Sequence, residues 1–247
     1  MSPGVEFGAL IPATLIVLLA SLVKSTTGFG FAMVSAPLLM LMWDPVLVVP
    51  IILPLTFTVD ALIVARSWRV VEPGRVVPLL VAAVVGIPLG TYALLLVPTQ
   101  ALKLGMAGSI LIAAGMLFFG VTMTIGRERV VGALAGFLSG FLVTSTALSG
   151  PPVTLFMLNQ RWAKDTFRNS LGLYFLVLDT FAIISLAFAG ALYAETVAVS
   201  AVLWPPVLVG YLAAIRILPH INQPAFLRIA TITVMVAALL AILNALR

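Results

Sequence analysis

Two short polar stretches interrupt the apolar sequence, and both contain groups that can hold an anion. The first break, residues 24–30, reads Lys-Ser-Thr-Thr-Gly-Phe-Gly, and the second, residues 144–152, reads Thr-Ser-Thr-Ala-Leu-Ser-Gly-Pro-Pro. Glycine allows close approach to a ligand, and hydroxyls donate hydrogen bonds. A half-helix that starts after a break points its free N–H groups and positive dipole end into it. The two breaks are therefore predicted to form facing donor sets; the alternative is that both are tight packing turns without a ligand.

Lys24 is the residue with the most specific chemistry. The next basic residue along the chain is Arg66, and an ammonium inside a membrane needs water, an anion or a partner. Lys24 is predicted to pair with an anionic substrate; snorkelling and a structural salt bridge are the alternatives. Arg168 can close the cytoplasmic side of the site or serve as an ordinary flanking residue. The predicted substrate-binding residues are Lys24, Thr26, Thr27, Gly28, Gly30, Thr144, Ser145, Thr146, Ser149, Gly150 and Arg168.

Two carboxylates, Asp60 and Asp179, lie at matching places in apolar segments, 119 residues apart. Intramembrane carboxyl groups can carry a proton or, with carbonyl neighbours, hold Na⁺. We predict them as coupling-ion residues. The alternatives are a structural ion pair, with one of them neutralising Lys24, or a capping role.

The elements that position these residues are membrane helices. Apolar residues make up 62% of the 247 and charged residues 9%, whereas soluble domains are about a quarter charged. Residues 76–102 and 104–126 carry no charge, which is far more than the ~10 residues of a barrel strand. Six segments are long enough to span the bilayer, and four shorter ones form a pair around each break. The ten are 8–23, 29–42, 46–65, 75–97, 101–125, 130–143, 151–160, 169–189, 196–216 and 226–246.

The distribution of basic residues predicts the orientation. If each short pair enters and returns on one side, ten of the twelve basic residues other than Lys24 lie on that side, and only Lys103 and Arg247 lie opposite. If each pair is a single crossing, the split is six to six. By the positive-inside rule the hairpin arrangement is favoured, with both termini outside the cytoplasm of a bacterial inner membrane.

The chain is predicted to be an all-α polytopic membrane protein of two repeats, residues 1–126 and 127–247. Each has a short helix pair and three full crossings. Because each repeat crosses the membrane an odd number of times, the second repeat is inverted relative to the first, as in secondary transporters. The motif Gly132-x-x-x-Gly136-x-x-x-Gly140 packs helices closely, either within the chain or in a homodimer.

Other classes of protein are disfavoured. No loop is long enough for a soluble catalytic or nucleic-acid-binding domain. Without cysteine and with one histidine, no disulfide, Fe–S cluster or usual transition-metal site is expected, so neither cofactor nor metal is predicted. An intramembrane serine protease needs a Ser–His pair that the sequence does not offer, and the prediction is not an enzyme. No Walker A sequence is present. A passive anion channel is the remaining alternative to a carrier.

The same stretches resemble the sulfite exporter TauE/SafE family. The resemblance rests on Ala20–Leu39, on the second copy at 135–152 with its Gly-Pro-Pro, and on Phe-Arg-Asn-Ser-Leu-Gly-Leu-Tyr-Phe at 167–175. It implies a permease for small sulfur oxyanions or organosulfonates such as sulfite and sulfoacetate. Two positions depart from the family's pattern: its triple glycine is reduced to Gly28 and Gly30, and Lys24 stands where a small residue is usual.

Overall fold

The described part of the protein is entirely helical. In a computed structural model, the residues described are 7–67, 73–118, 128–159 and 164–217, with isolated helical positions between 232 and 243. A short 3₁₀ turn at Phe7–Ala9 precedes nine α-helices in these ranges. They are α1 (Leu10–Thr27), α2 (Phe31–Leu39), α3 (Pro45–Ser67), α4 (Pro73–Leu96), α5 (Thr99–Phe118), α6 (Glu128–Thr146), α7 (Gly150–Asn159), α8 (Lys164–Phe188) and α9 (Ala194–Ile217).

Six of these helices are long and apolar enough to cross a membrane: α1, α3, α4, α6, α8 and α9. The prediction that segments 8–23 and 130–143 are too short was wrong, because α1 and α6 continue to Thr27 and Thr146 and reach 18 and 19 residues. In both breaks, hydroxyls donate to carbonyls of their own helix, so these polar residues extend the helices. The residues are Thr26, Thr27, Ser145 and Thr146. The partners α2 and α7, with nine and ten residues, are too short, as predicted. The last predicted segment, 226–246, lies mostly outside the described residues.

The packing of the helices follows a two-fold pattern. The most extensive contact is between α4 and α6, and α9 packs on α1 in the same way. Likewise α4 lies against α8 as α9 lies against α3, and each short helix packs on the helix before it. If α1 to α4 are matched in order with α6 to α9, each of these contacts in one half has its counterpart in the other. The contact between α3 and α8, at the centre, is its own counterpart. The pattern supports a duplicated chain, while the inversion and the orientation in the membrane stay predictions.

Glycines bring α6 against α4. A Cβ added at Gly136 would overlap the carbonyl oxygen of Leu79, and one at Gly140 would overlap that of Ala83. From the other side, a Cβ at Gly86 would overlap the backbone of Phe137. The Gly-x-x-x-Gly motif of α6 therefore serves packing within the chain. The equivalent crossing of α9 on α1 uses Gly210, whose Cβ would lie 2.6 Å from the Leu18 carbonyl oxygen. These two crossings position α1 and α6, from which the breaks emerge.

Candidate functional site

Both breaks turn through a left-handed backbone position directly after the long helix. In the first, Gly28 has a φ of 88° and donates its N–H to the Lys24 carbonyl at 2.7 Å, and Gly30 has a φ of 93°. Glycine adopts this conformation without strain. In the second break the left-handed residue is Ala147, with a φ of 59°. Ala147 follows Gly28 by 119 residues, the same offset that separates Asp60 and Asp179, so the two turns are equivalent.

The two breaks meet around one small cavity. Gly150 at the start of α7 contacts Phe29 of the first break, and its Cβ position lies 3.8 Å from the Phe29 Cβ. The cavity measures about 20 Å³, roughly the space of one water molecule. It is bordered by Lys24, residues 29–33, Thr56, residues 147–150 and Phe175. The structure thus places the first and second breaks face to face.

The predicted residues divide into those that border the cavity and those that build the turns. Lys24, Gly30, Ser149 and Gly150 border it. The hydroxyls of the other predicted residues donate to backbone carbonyls, and Gly28 holds the first turn. These hydroxyls belong to Thr26, Thr27, Thr144, Ser145 and Thr146. Arg168 lies in the second turn of α8, but its side chain is outside the described part of the structure.

The backbone at the start of α2 supplies the hydrogen-bond donors that the hydroxyls do not. The first bond within α2 runs from the Val34 N–H to the Gly30 carbonyl at 3.1 Å. The N–H groups of Phe31, Ala32 and Met33 therefore have no acceptor within the helix, and all three residues border the cavity. In α7 the two residues after Gly150 are prolines, which have no N–H. The first break is the richer in donors.

A buried charge cluster lies beside the cavity. The Nζ atom of Lys24 is 2.6 Å from Oδ2 of Asp60, and the side chains are 5% and 0% exposed. The ammonium also lies over the Phe175 ring, 5.3 Å from its centroid, which is a favourable cation–π position. Lys24 therefore forms the structural ion pair that was the alternative in the sequence analysis, and it also borders the cavity. Its pairing with an anionic substrate stays a prediction.

Asp179 joins this cluster from α8. Its Oδ2 atom accepts a hydrogen bond from the Thr56 hydroxyl of α3, and Lys24 interacts with it electrostatically. Thr56 and Phe175 were not predicted as site residues. They lie one helical turn before Asp60 and Asp179 at equivalent positions of the two halves, and this i−4 spacing on the face of each acid is the sequence signal for them.

The comparison with known families agrees with this architecture. The model of the family described as sulfite exporter TauE/SafE matches residues 13–242. That range includes both breaks, Lys24 and both acids. No curated protein and no solved structure gives a significant match. With a family match over nearly its whole length and six helices that can cross a bilayer, this integral membrane protein belongs to the sulfite exporter TauE/SafE family of transporters.

Proposed function

We propose that the protein is a secondary transporter that binds a small anion, a sulfur oxyanion or an organosulfonate such as sulfite or sulfoacetate, between its two helix breaks. The observation that carries the proposal is the position of Lys24. Among the side chains described, it is the only buried basic one, and it borders the cavity at which the breaks meet. A buried ammonium beside a cavity is a strong attraction for an anion.

The groups around the cavity suit the oxygens of such a ligand. The N–H groups at the start of α2 and the ammonium of Lys24 approach the cavity from the first break. Ser149 and the N–H of Gly150 lie across it. Charge-assisted hydrogen bonds of this kind are about twice as strong as neutral ones. Three sulfonate oxygens can share these donors, which is the chemical basis for the proposed substrate class.

The size of the cavity favours a carrier over a passive channel. At about 20 Å³, the cavity is too small for a sulfonate, so the breaks must move apart for one to enter. Alternating access by movement of repeats about a fixed site is the usual mechanism of transporters with broken helices. We propose that the two repeats, residues 1–126 and 127–247, are inverted and that both termini lie outside the cytoplasm of the bacterial inner membrane. We propose that coupling to an ion runs through one of the two buried acids, Asp60 or Asp179.

Transport by purified protein in liposomes tests the function. Uptake of labelled substrate should saturate and show counterflow with sulfite, sulfoacetate or a related sulfonate, but not with short carboxylates to the same extent. A leucine at Gly150 would fill the cavity beside Phe29, so Gly150→Leu should abolish uptake while the protein remains folded.

Gly105→Leu is the matched control. Gly105 is an exposed glycine of α5 with no atom within 4 Å of its Cβ position, so this variant should transport as the wild type does. Equal uptake by both leucine variants, or uptake that neither saturates nor shows counterflow, would contradict the proposal.

A further inference from the structure

Lys24 pairs with an internal carboxylate and also borders the cavity. Its Nζ atom lies 2.6 Å from Asp60 Oδ2, whereas Asp60 is not among the residues that border the cavity. An anion that enters the cavity must therefore compete with Asp60 for the same ammonium. The buried charged side chains among those described are Lys24, Asp60 and Asp179. No other described side chain can therefore compensate the charge of a bound anion.

The two acids differ in their hydrogen-bond donors. Asp179 has a neutral donor, the Thr56 hydroxyl, which does not depend on Lys24. Asp60 bonds only to Lys24, and its second oxygen, Oδ1, is buried without a hydrogen-bond partner among the described residues. The charged side chains that act on Asp60 are Lys24 of α1 and Asp179 of α8. If Lys24 turns to a ligand, Asp60 is the group left uncompensated.

We propose that the anion takes the Lys24 ammonium from Asp60 and that Asp60 then takes up a proton, so that one anion and one proton bind together. The inference rests on the proposed function and assigns its coupling ion. The proton comes from solvent and is held on the Asp60 carboxylate, and for a monovalent anion the buried net charge is unchanged. Without the proton, the anion and both acids would share one ammonium away from water, which is costly. Asp179 keeps its bond to Thr56 and exchanges no proton.

Calorimetry on the purified wild-type protein tests this exchange. Methanesulfonate is titrated at one pH in buffers that differ in ionisation enthalpy, and the difference in heat gives the number of protons taken up per anion. We expect uptake to approach one proton per anion at alkaline pH. The affinity should then fall about tenfold per pH unit as the pH rises, because each bound anion must bring a proton with it.

Two single substitutions distinguish which acid takes up the proton. Asp60→Asn should bind methanesulfonate with no proton uptake and little pH dependence, because Lys24 remains and the carboxylate that was paired with its ammonium is gone. Asp179→Asn is the matched control: its amide oxygen can still accept from Thr56, and proton uptake should stay at the wild-type value. Loss of proton uptake in Asp179→Asn but not in Asp60→Asn would overturn the proposal.

The wild-type measurement decides the matter even if a variant fails to fold. Binding without proton uptake at any pH, or binding that Na⁺ strengthens and pH does not alter, would overturn this inference and leave the proposed function intact. Failure of the wild-type protein to bind methanesulfonate, sulfite and sulfoacetate would instead contradict the proposed function and the inference together.

Discussion

Removing Lys24 should destabilise the protein through the acid that it leaves behind. At 2.6 Å and an effective dielectric constant of about 20, the attraction between Lys24 and Asp60 is about 6 kcal/mol before the cost of desolvating both groups. Because removing one partner leaves the other charge buried, Lys24→Ala should lower the free energy of unfolding by about 3–5 kcal/mol. The loss should grow as pH rises, since the orphaned Asp60 can be neutralised only by a proton from solvent.

A double-mutant cycle measures this coupling by denaturant unfolding in detergent. Lys24→Ala/Asp60→Asn removes both members of the ion pair, and Asp179 keeps its hydrogen bond from Thr56. Most of the lost stability should therefore be recovered, with about 1–3 kcal/mol remaining for the buried amide. The control pair is Lys103 and Asp44, which has nearly the same separation, 2.7 Å, but is 22% and 48% exposed. Lys103→Ala should cost about 0–1 kcal/mol. If the effects of the Lys24 and Asp60 substitutions simply add, the reasoning from burial is refuted.

Three further predictions concern packing, the second acid and topology. Gly140→Ala should destabilise the protein by about 1–3 kcal/mol or more, because its methyl group meets the Ala83 carbonyl oxygen, whereas Gly105→Ala should not destabilise it; thermal unfolding of both variants compares them. Thr56→Val removes the donor to Asp179 and should cost about 1–3 kcal/mol, and wild-type stability would show that this bond contributes little. A single cysteine at position 3 should react with an impermeant maleimide only from outside the cytoplasm; labelling only from the cytoplasmic face would contradict the hairpin arrangement.

Four of the six helices that can cross a membrane, α3, α4, α8 and α9, were predictable from hydropathy alone. Segment 46–65 corresponds to α3, Pro45–Ser67, and segment 196–216 to α9, Ala194–Ile217. The ends of α1 and α6 were not predictable in this way, because a hydropathy pattern reads Ser and Thr as polar. In the structure their hydroxyls satisfy carbonyls of the same helix, for example Thr146 to Leu142 at 2.9 Å, and the helix continues through them.

The site was predictable only in part, for a similar physical reason. The isolated charge of Lys24 and the repeated breaks marked residues that the structure brings together around one cavity. The sequence did not show which acid pairs with Lys24, because Asp60 and Asp179 occupy equivalent places and only the packing of α1 against α3 distinguishes them. Nor did it show that Thr56 reaches across to Asp179, a contact between residues separated by 123 positions.

The affinity of Lys24→Ala/Asp60→Asn for a sulfonate tests the central claim most directly. This variant should be folded but lacks the ammonium at the cavity, whereas Asp60→Asn keeps it and serves as the reference. If Lys24 contacts the substrate, losing one charge-assisted hydrogen bond of about 1.5–3 kcal/mol should weaken methanesulfonate binding roughly ten- to a hundredfold relative to Asp60→Asn. Equal affinity in the two folded variants would show that Lys24 only neutralises Asp60 and that the anion binds elsewhere.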